Sequence, residues 1–210
     1  MKLSQIFEAS DSKRLVVVFG GRFQPFHRGH YEAYKWLCKK FGEENVWIAT
    51  SNKTNFNAAN GEVSPFTFKE KKEIIVSLYG INQRRIIQCK NPAFKPSEIF
   101  DLYKGYPIIY ITAVGKKDEE RYRTGTFFKP LPLPFVLKDA DALATLDDDV
   151  GYYTEVPMVI KDISGSQVRA ELKAAKGDDR EKLFKKFFGK YDSIIDALVI
   201  AKLKDVKEIE

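Results

Sequence analysis

The two histidines of this 210-residue chain stand three residues apart, at His27 and His30, within Gly20-Gly21-Arg22-Phe23-Gln24-Pro25-Phe26-His27-Arg28-Gly29-His30. Such a cluster suits phosphate chemistry. An imidazole N–H stabilises charge building on a phosphoryl oxygen, and an arginine grips phosphate with a fork of donors. Glycine lets the backbone approach a bound group closely. The segment directly follows the apolar run Leu15–Phe19, where a buried strand would hand over to a helix. A helix N-terminus favours anions through its unpaired N–H groups and its dipole. The glycine turn Gly20-Gly21, Arg22, His27, Gly29 and His30 therefore read as a site suited to a polyphosphate. Two histidines alone make a poor metal site, since a third ligand is wanted and none is adjacent. Capping or packing is the plainer role open to the pair.

Three further segments carry residues of the same chemistry. In Ile163-Ser164-Gly165-Ser166-Gln167-Val168-Arg169, hydroxyls and N–H groups open a helix and an arginine sits one turn in. That arrangement would hold the outer phosphates of a nucleotide, although alone it is also a common capping string. Pro65-Phe66-Thr67-Phe68-Lys69-Glu70-Lys71 reads as an ordinary helix start with Thr67 as cap, and ends on a cation. In Val114-Gly115-Lys116-Lys117-Asp118, Gly115 would permit close approach and Asp118 offers a hydrogen-bond acceptor. A plain turn with solvated charges fits that segment equally.

These segments need a scaffold. Leu15–Phe19, Val46–Ala49, Arg85–Cys89, Ile108–Ala113 and Glu155–Ile160 read as five short strands, mostly apolar and β-branched. Helical spacing is expected over His30–Phe41, Thr67–Tyr79 with Gly80 as stop, Glu98–Tyr103, Ser166–Ala175, Lys182–Phe188 and Ser193–Leu203. Ser51–Ser64 is a long polar loop, and long loops in compact domains are often functional. Lys116–Pro134 reads as irregular, and Ala140–Asp149 as an acidic surface helix or loop. The alternation predicts an α/β fold, a Rossmann-like doubly wound parallel sheet of about five strands with helices on both faces. Such sheets bind ligands at the carboxyl ends of their strands, where the strand order reverses. The first motif falls at the end of the first strand.

Composition sets the outer bounds. The formal net charge is +6 and the pI about 9.1, which fits an anionic ligand. The 35 lysines and arginines are spread along the chain without a dense block, so no nucleic-acid partner is expected. Cys38 and Cys89 lack metal or redox spacing and read as buried thiols of a reducing compartment. No signal peptide or membrane-length apolar run is visible, which leads to a cytoplasmic expectation.

The run Gly21–His30 resembles the His-x-Gly-His signature of the nucleotidyltransferase superfamily. Its Gly-Arg-Phe-Gln-Pro-Phe-His form is similar to nicotinamide mononucleotide (NMN) adenylyltransferases of the archaeal type and their bifunctional bacterial relatives. Ile163–Arg169 resembles the Ile-Ser-x-Thr/Ser-x-x-Arg signature of the same domain, in the right order. Pro65–Lys71 is similar to the Asn-Pro-Phe-Thr-x-x-Glu-Arg segment of that branch, with Ser64 in place of asparagine and Lys71 in place of arginine. Lysine keeps the charge and loses the bidentate fork.

The resemblance implies that the phosphate of a mononucleotide attacks the α-phosphorus of ATP and that pyrophosphate leaves. Arg22, His27, His30 and Arg169 would be the catalytic set. The ATP site would comprise Gly20, Gly21, Arg22, Phe23, Gln24, His27, Gly29, His30, Gly115, Asp118, Ile163, Ser164, Ser166 and Arg169. Lys71 would meet the acceptor phosphate, and Mg²⁺ would be held mainly by ATP phosphates. Trp36 and Trp47 are placed to pack, with stacking on a nicotinamide ring as the other option. A cytidylyltransferase, an adenylyltransferase with another acceptor, and a non-catalytic nucleotide binder are the rival readings. The resemblance covers roughly Arg14 to Ala175, with no counterpart for Phe127–Tyr153. Residues 1–176 are read as the nucleotidyltransferase domain, and 177–210 as its C-terminal helical extension and a candidate homo-oligomer contact.

Overall fold

The computed structural model describes residues 13–92, 94, 96–116, 118–125, 127–132, 143–157, 160 and 163–207. Its centre is a parallel sheet of six strands: β1 (Arg14–Gly20), β2 (Val46–Thr50), β3 (Ile86–Gln88), β4 (Ile108–Val114), β5 (Phe128–Pro130) and β6 (Gly151–Glu155). Their spatial order is β3-β2-β1-β4-β6-β5, and every pairing is parallel. The order reverses at β1, which has β2 on one side and β4 on the other. The crevice at that reversal lies outside the carboxyl ends of β1 and β4.

The alternation of side chains along β1 assigns the two faces. Leu15, Val17 and Phe19 join one core cluster, whereas Val16 and Val18 join another with Trp47, Tyr110 and Tyr122. The first face is covered by α1 (Arg28–Phe41), through Tyr34, Leu37 and Phe41, and by Ile75 of α2 (Phe68–Tyr79). The second is covered by the short helices α3 (Ser97–Phe100) and α4 (Glu119–Arg123). A third cluster joins the outer side of α2, through Ile74 and Leu78, to α5 (Gly165–Ala174), α6 (Gly177–Phe188) and α7 (Ser193–Leu203). Among the described residues no helix is long and apolar enough to cross a membrane.

The sheet differs from the sequence reading in two places. The strand expected over Glu155–Ile160 instead occupies Gly151–Glu155. Pro157 has no N–H for a ladder, and the β-forming Tyr152, Tyr153 and Thr154 pair with β4. A sixth strand, Phe128–Pro130, arises in the stretch read as irregular; it lies on the sheet edge, where proline is tolerated. Residues 117, 126, 133–142, 158–159 and 161–162, including Lys117 and part of the acidic stretch from Ala140, lie outside the described residues.

Candidate active site

α1 begins with a histidine as its cap. The Nδ1 of His27 accepts the Gly29 N–H at 3.2 Å, and the Nδ1 of His30 accepts the His27 N–H at 3.3 Å. This reciprocal capping box places His27 just outside the helix, not a turn below His30 on the helix face. The rings are nonetheless stacked, with centroids 3.8 Å apart. A Cβ on Gly29 would come within 3.1 Å of the His27 ring, a tight approach that would press on the imidazole. Because each Nδ1 accepts a backbone proton, each neutral ring carries its own proton on Nε2.

Burial keeps both rings neutral. Desolvation lowers the His27 pKa from 6.5 to about 4. It also pushes His30 well below its ordinary value, with a smaller push from His27. His30 stands in an aromatic wall, its ring centre 5.0 Å from Phe23 and 5.3 Å from Phe26. Phe23 holds that position with a left-handed φ of 48°.

His30 opens onto a cavity of about 890 Å³ at the carboxyl edge of the sheet. Of the sequence-selected residues, Gly20, Gly21, Arg22, Phe23, Gln24, His30, Gly115, Asp118, Ser164, Ser166 and Arg169 lie on its wall. His27 and Gly29 sit behind His30, and Ile163 packs against the third cluster instead. The two main motifs, far apart in sequence, therefore meet around one space.

Gln24 is the cross-brace that joins them. Its side-chain amide donates to the Phe66 carbonyl at 3.0 Å and accepts the Phe66 N–H at 2.9 Å, both buried. Its backbone carbonyl accepts a hydrogen bond from Arg169 Nη1 at 2.8 Å. Gly165 packs close under that carbonyl, where a Cβ would come within 2.9 Å of it. Ser164 caps α5 by accepting the Gln167 N–H at 3.2 Å, and its hydroxyl lies 3.1 Å from that of Ser166. One residue thus ties the β1 loop to the start of α2 and to the start of α5.

Lys71, expected at the acceptor phosphate, is not on the cavity wall. It is fully buried, and its ammonium donates to the carbonyls of Arg22 and Ser51 and to Thr50 Oγ1. Desolvation lowers its pKa to about 8. The side chain stitches the ends of β1 and β2 together beneath the wall. Trp36 and Trp47 also lie away from the cavity; Trp47 Nε1 donates to Tyr103 Oη at 3.0 Å, and Arg85 lies over its ring.

Several wall residues carry no individual signal in the sequence, although Ala58, Glu62 and Val63 lie in the long Ser51–Ser64 loop. Glu62, on the loop before α2, is ion-paired with Arg22, both side chains being largely exposed. Arg121 of α4 faces the cavity, 3.6 Å from Asp118 and over the Phe94 ring. Ala58, Val63, Pro92 and Tyr122 complete the rim with them. No spacing rule marks a lone glutamate in an Asn- and Gly-rich loop, or an arginine on a helix this short.

Residues 18–171 match the family model described as cytidylyltransferase-like. The chain belongs to the cytidylyltransferase-like family. That family lies within the His-x-Gly-His nucleotidyltransferase superfamily. Among its curated relatives is nicotinamide-nucleotide adenylyltransferase 1 of Sulfolobus acidocaldarius, 30% identical over 73 residues, or 33% of this chain and 39% of that protein. An uncharacterized protein of Archaeoglobus fulgidus is 30% identical over 101 residues, covering 47% of this chain and 52% of that protein. The matched part thus spans about half or less of these relatives. A similar solved fold is the Plasmodium falciparum nicotinic acid mononucleotide adenylyltransferase complexed with NaAD. It has 14% identity and a TM-score of 0.50, with 91% of this chain and 95% of that chain covered. The cytidylyltransferase-like fold is thus shared across very different sequences.

Proposed function

We propose that the protein is a nucleotidyltransferase that moves the adenylyl group of ATP to NMN, giving NAD and pyrophosphate. The observation that carries this reading is the neutral histidine pair beside the Ser164–Arg169 helix start, around a cavity large enough for a dinucleotide. An oxygen of the acceptor phosphate attacks the α-phosphorus, and the bond from that phosphorus to the bridging oxygen of pyrophosphate breaks. The Nε2–H of His30 donates to the charge building on the phosphoryl oxygens, and His27 fixes the orientation of His30 through the cap. Ser166 and Arg169 hold the outer phosphates; the Gln24 carbonyl pins one guanidinium nitrogen so that the fork is oriented in advance. Arg22, held on the cavity wall by Glu62, turns its other guanidinium donors to the triphosphate. The cavity carboxylates Glu62 and Asp118 are each paired with an arginine, which suits a Mg²⁺ that arrives on the nucleotide and needs few protein ligands. The similarity to the Sulfolobus adenylyltransferase supports NMN as acceptor.

A second reading, another phosphate acceptor on the same machinery, is favoured by the burial of Lys71 where the branch carries arginine. Pyrophosphate release separates the two. The protein is incubated with ATP or CTP, Mg²⁺ and NMN, nicotinate mononucleotide, phosphopantetheine, FMN or phosphocholine. Release with ATP and NMN is expected; release only elsewhere in the panel would overturn the preferred acceptor.

A further inference from the structure

A ring of contacts runs around the rim of the cavity, and the C-terminal segment closes it. Glu62 pairs with Arg22 from a loop whose base is pinned by two Asn55–Ser64 backbone hydrogen bonds, of 2.9 and 2.6 Å. Further along that loop, the Phe56 carbonyl accepts the Lys207 N–H at 2.8 Å, and the Ala58 N–H donates to the Lys207 carbonyl at 3.0 Å. Val206 is buried in the third cluster, against which Phe56 and Ala58 also pack. The Val206 carbonyl accepts a hydrogen bond from Lys173 of α5 at 2.5 Å. Lys173 lies one turn beyond Arg169, which grips the Gln24 carbonyl two residues from Arg22. The circuit is then complete.

We infer that Val206–Lys207 is a positioning element of the nucleotide cavity, acting through the loop that carries Ala58, Glu62 and Val63. The inference rests on the nucleotide reading of the cavity given above. Neither Val206 nor Lys207 lines the cavity. The exposed Arg22–Glu62 pair is too solvent-screened to order a long loop by itself. Two backbone hydrogen bonds and a buried valine hold the loop before substrate arrives. Prior ordering lowers the entropy lost on binding. Releasing the clasp therefore weakens nucleotide binding and leaves the chemical step as it was.

Lys207→Pro removes the N–H that reaches Phe56, whereas Lys207→Ala keeps the backbone and serves as control. ATP affinity is measured by calorimetry with Mg²⁺, and exchange of the Ala58 amide by mass spectrometry or NMR. Lys207→Pro should speed Ala58 exchange and weaken ATP binding about 3- to 10-fold, the scale of one hydrogen bond. Lys207→Ala should stay within about twofold, since its backbone bonds remain. Lys173→Met, which releases Val206 from the α5 side, should move affinity the same way as the proline variant. In turnover assays KM for ATP rises while kcat holds. Unchanged Ala58 exchange in Lys207→Pro, or faster exchange with wild-type ATP affinity, overturns the inference. Binding and turnover fail separately. A wild type that binds ATP but transfers to no acceptor sinks the proposed reaction and leaves the clasp standing.

Discussion

Replacing Gln24 tests the brace that unites the site. Gln24→Leu keeps the approximate volume and deletes both polar ends. The Phe66 N–H and carbonyl, both bonded to that buried amide, lose this partner. Each orphaned group costs about 1–3 kcal/mol, so the variant should lose roughly 4 kcal/mol. For a chain of this length that corresponds to a fall of about 8–16 °C in Tm. Gln24→Glu sharpens the test. A carboxylate still accepts the Phe66 N–H but faces the Phe66 carbonyl without a proton to give. Burial raises the pKa of that new carboxyl, and the protonated form restores the missing donor. The folded state then binds the proton more tightly than the unfolded one, so the deficit of Gln24→Glu against wild type shrinks as pH falls from 7 to 5. Urea unfolding, followed through Trp36 and Trp47, reads both effects. A Gln24→Leu variant within about 0.5 kcal/mol of wild type would refute the reasoning. So would a Gln24→Glu deficit that is flat with pH.

Two other expectations concern the histidines and Arg169. His30→Ala and Arg169→Ala should each lower kcat at least about 100-fold, the scale of losing a preorganised donor. Near-normal turnover in purified, folded His30→Ala would remove His30 from the chemistry. The His27 imidazole titrates at about 4 when folded against 6.5 ordinarily, so between those values the unfolded chain binds the extra proton. Stability should therefore fall on acidification from pH 6.5 to 4, by about 3 kcal/mol from His27 alone. His27→Gln, compared with wild type by urea unfolding at each pH, should flatten that limb; identical profiles would contradict a buried neutral ring.

The legible parts of this protein are those fixed locally. Uniform apolar runs marked β1 and β4, buried on both faces, and Thr67 marked the α2 start, which it caps in the folded chain together with Glu70. β6 was obscured because the more apolar stretch beyond it contains Pro157, while Tyr152 and Tyr153 form the strand. In the site, residue type and spacing selected the histidines, the serines and Arg169. Their support was hidden because it depends on distant backbone. Gln24 works through Phe66, 42 residues on, and Arg169 through a carbonyl 145 residues away. Glu62 and Arg121 gain meaning only once loops from separate strands converge.

Lys71 limits how far redesign can follow an alignment. Substituting arginine would restore the form of the segment that Pro65–Lys71 resembles. The pocket here is shaped for a point charge, with full burial and oxygens of Arg22, Thr50 and Ser51 around one nitrogen. A planar guanidinium has more volume and a different donor geometry, and overpacking a closed site costs about 1–3 kcal/mol. The most conservative-looking edit in the segment would pry apart the ends of β1 and β2. Family likeness at a position and interchangeability at that position are separate properties, and the surrounding oxygens decide between them.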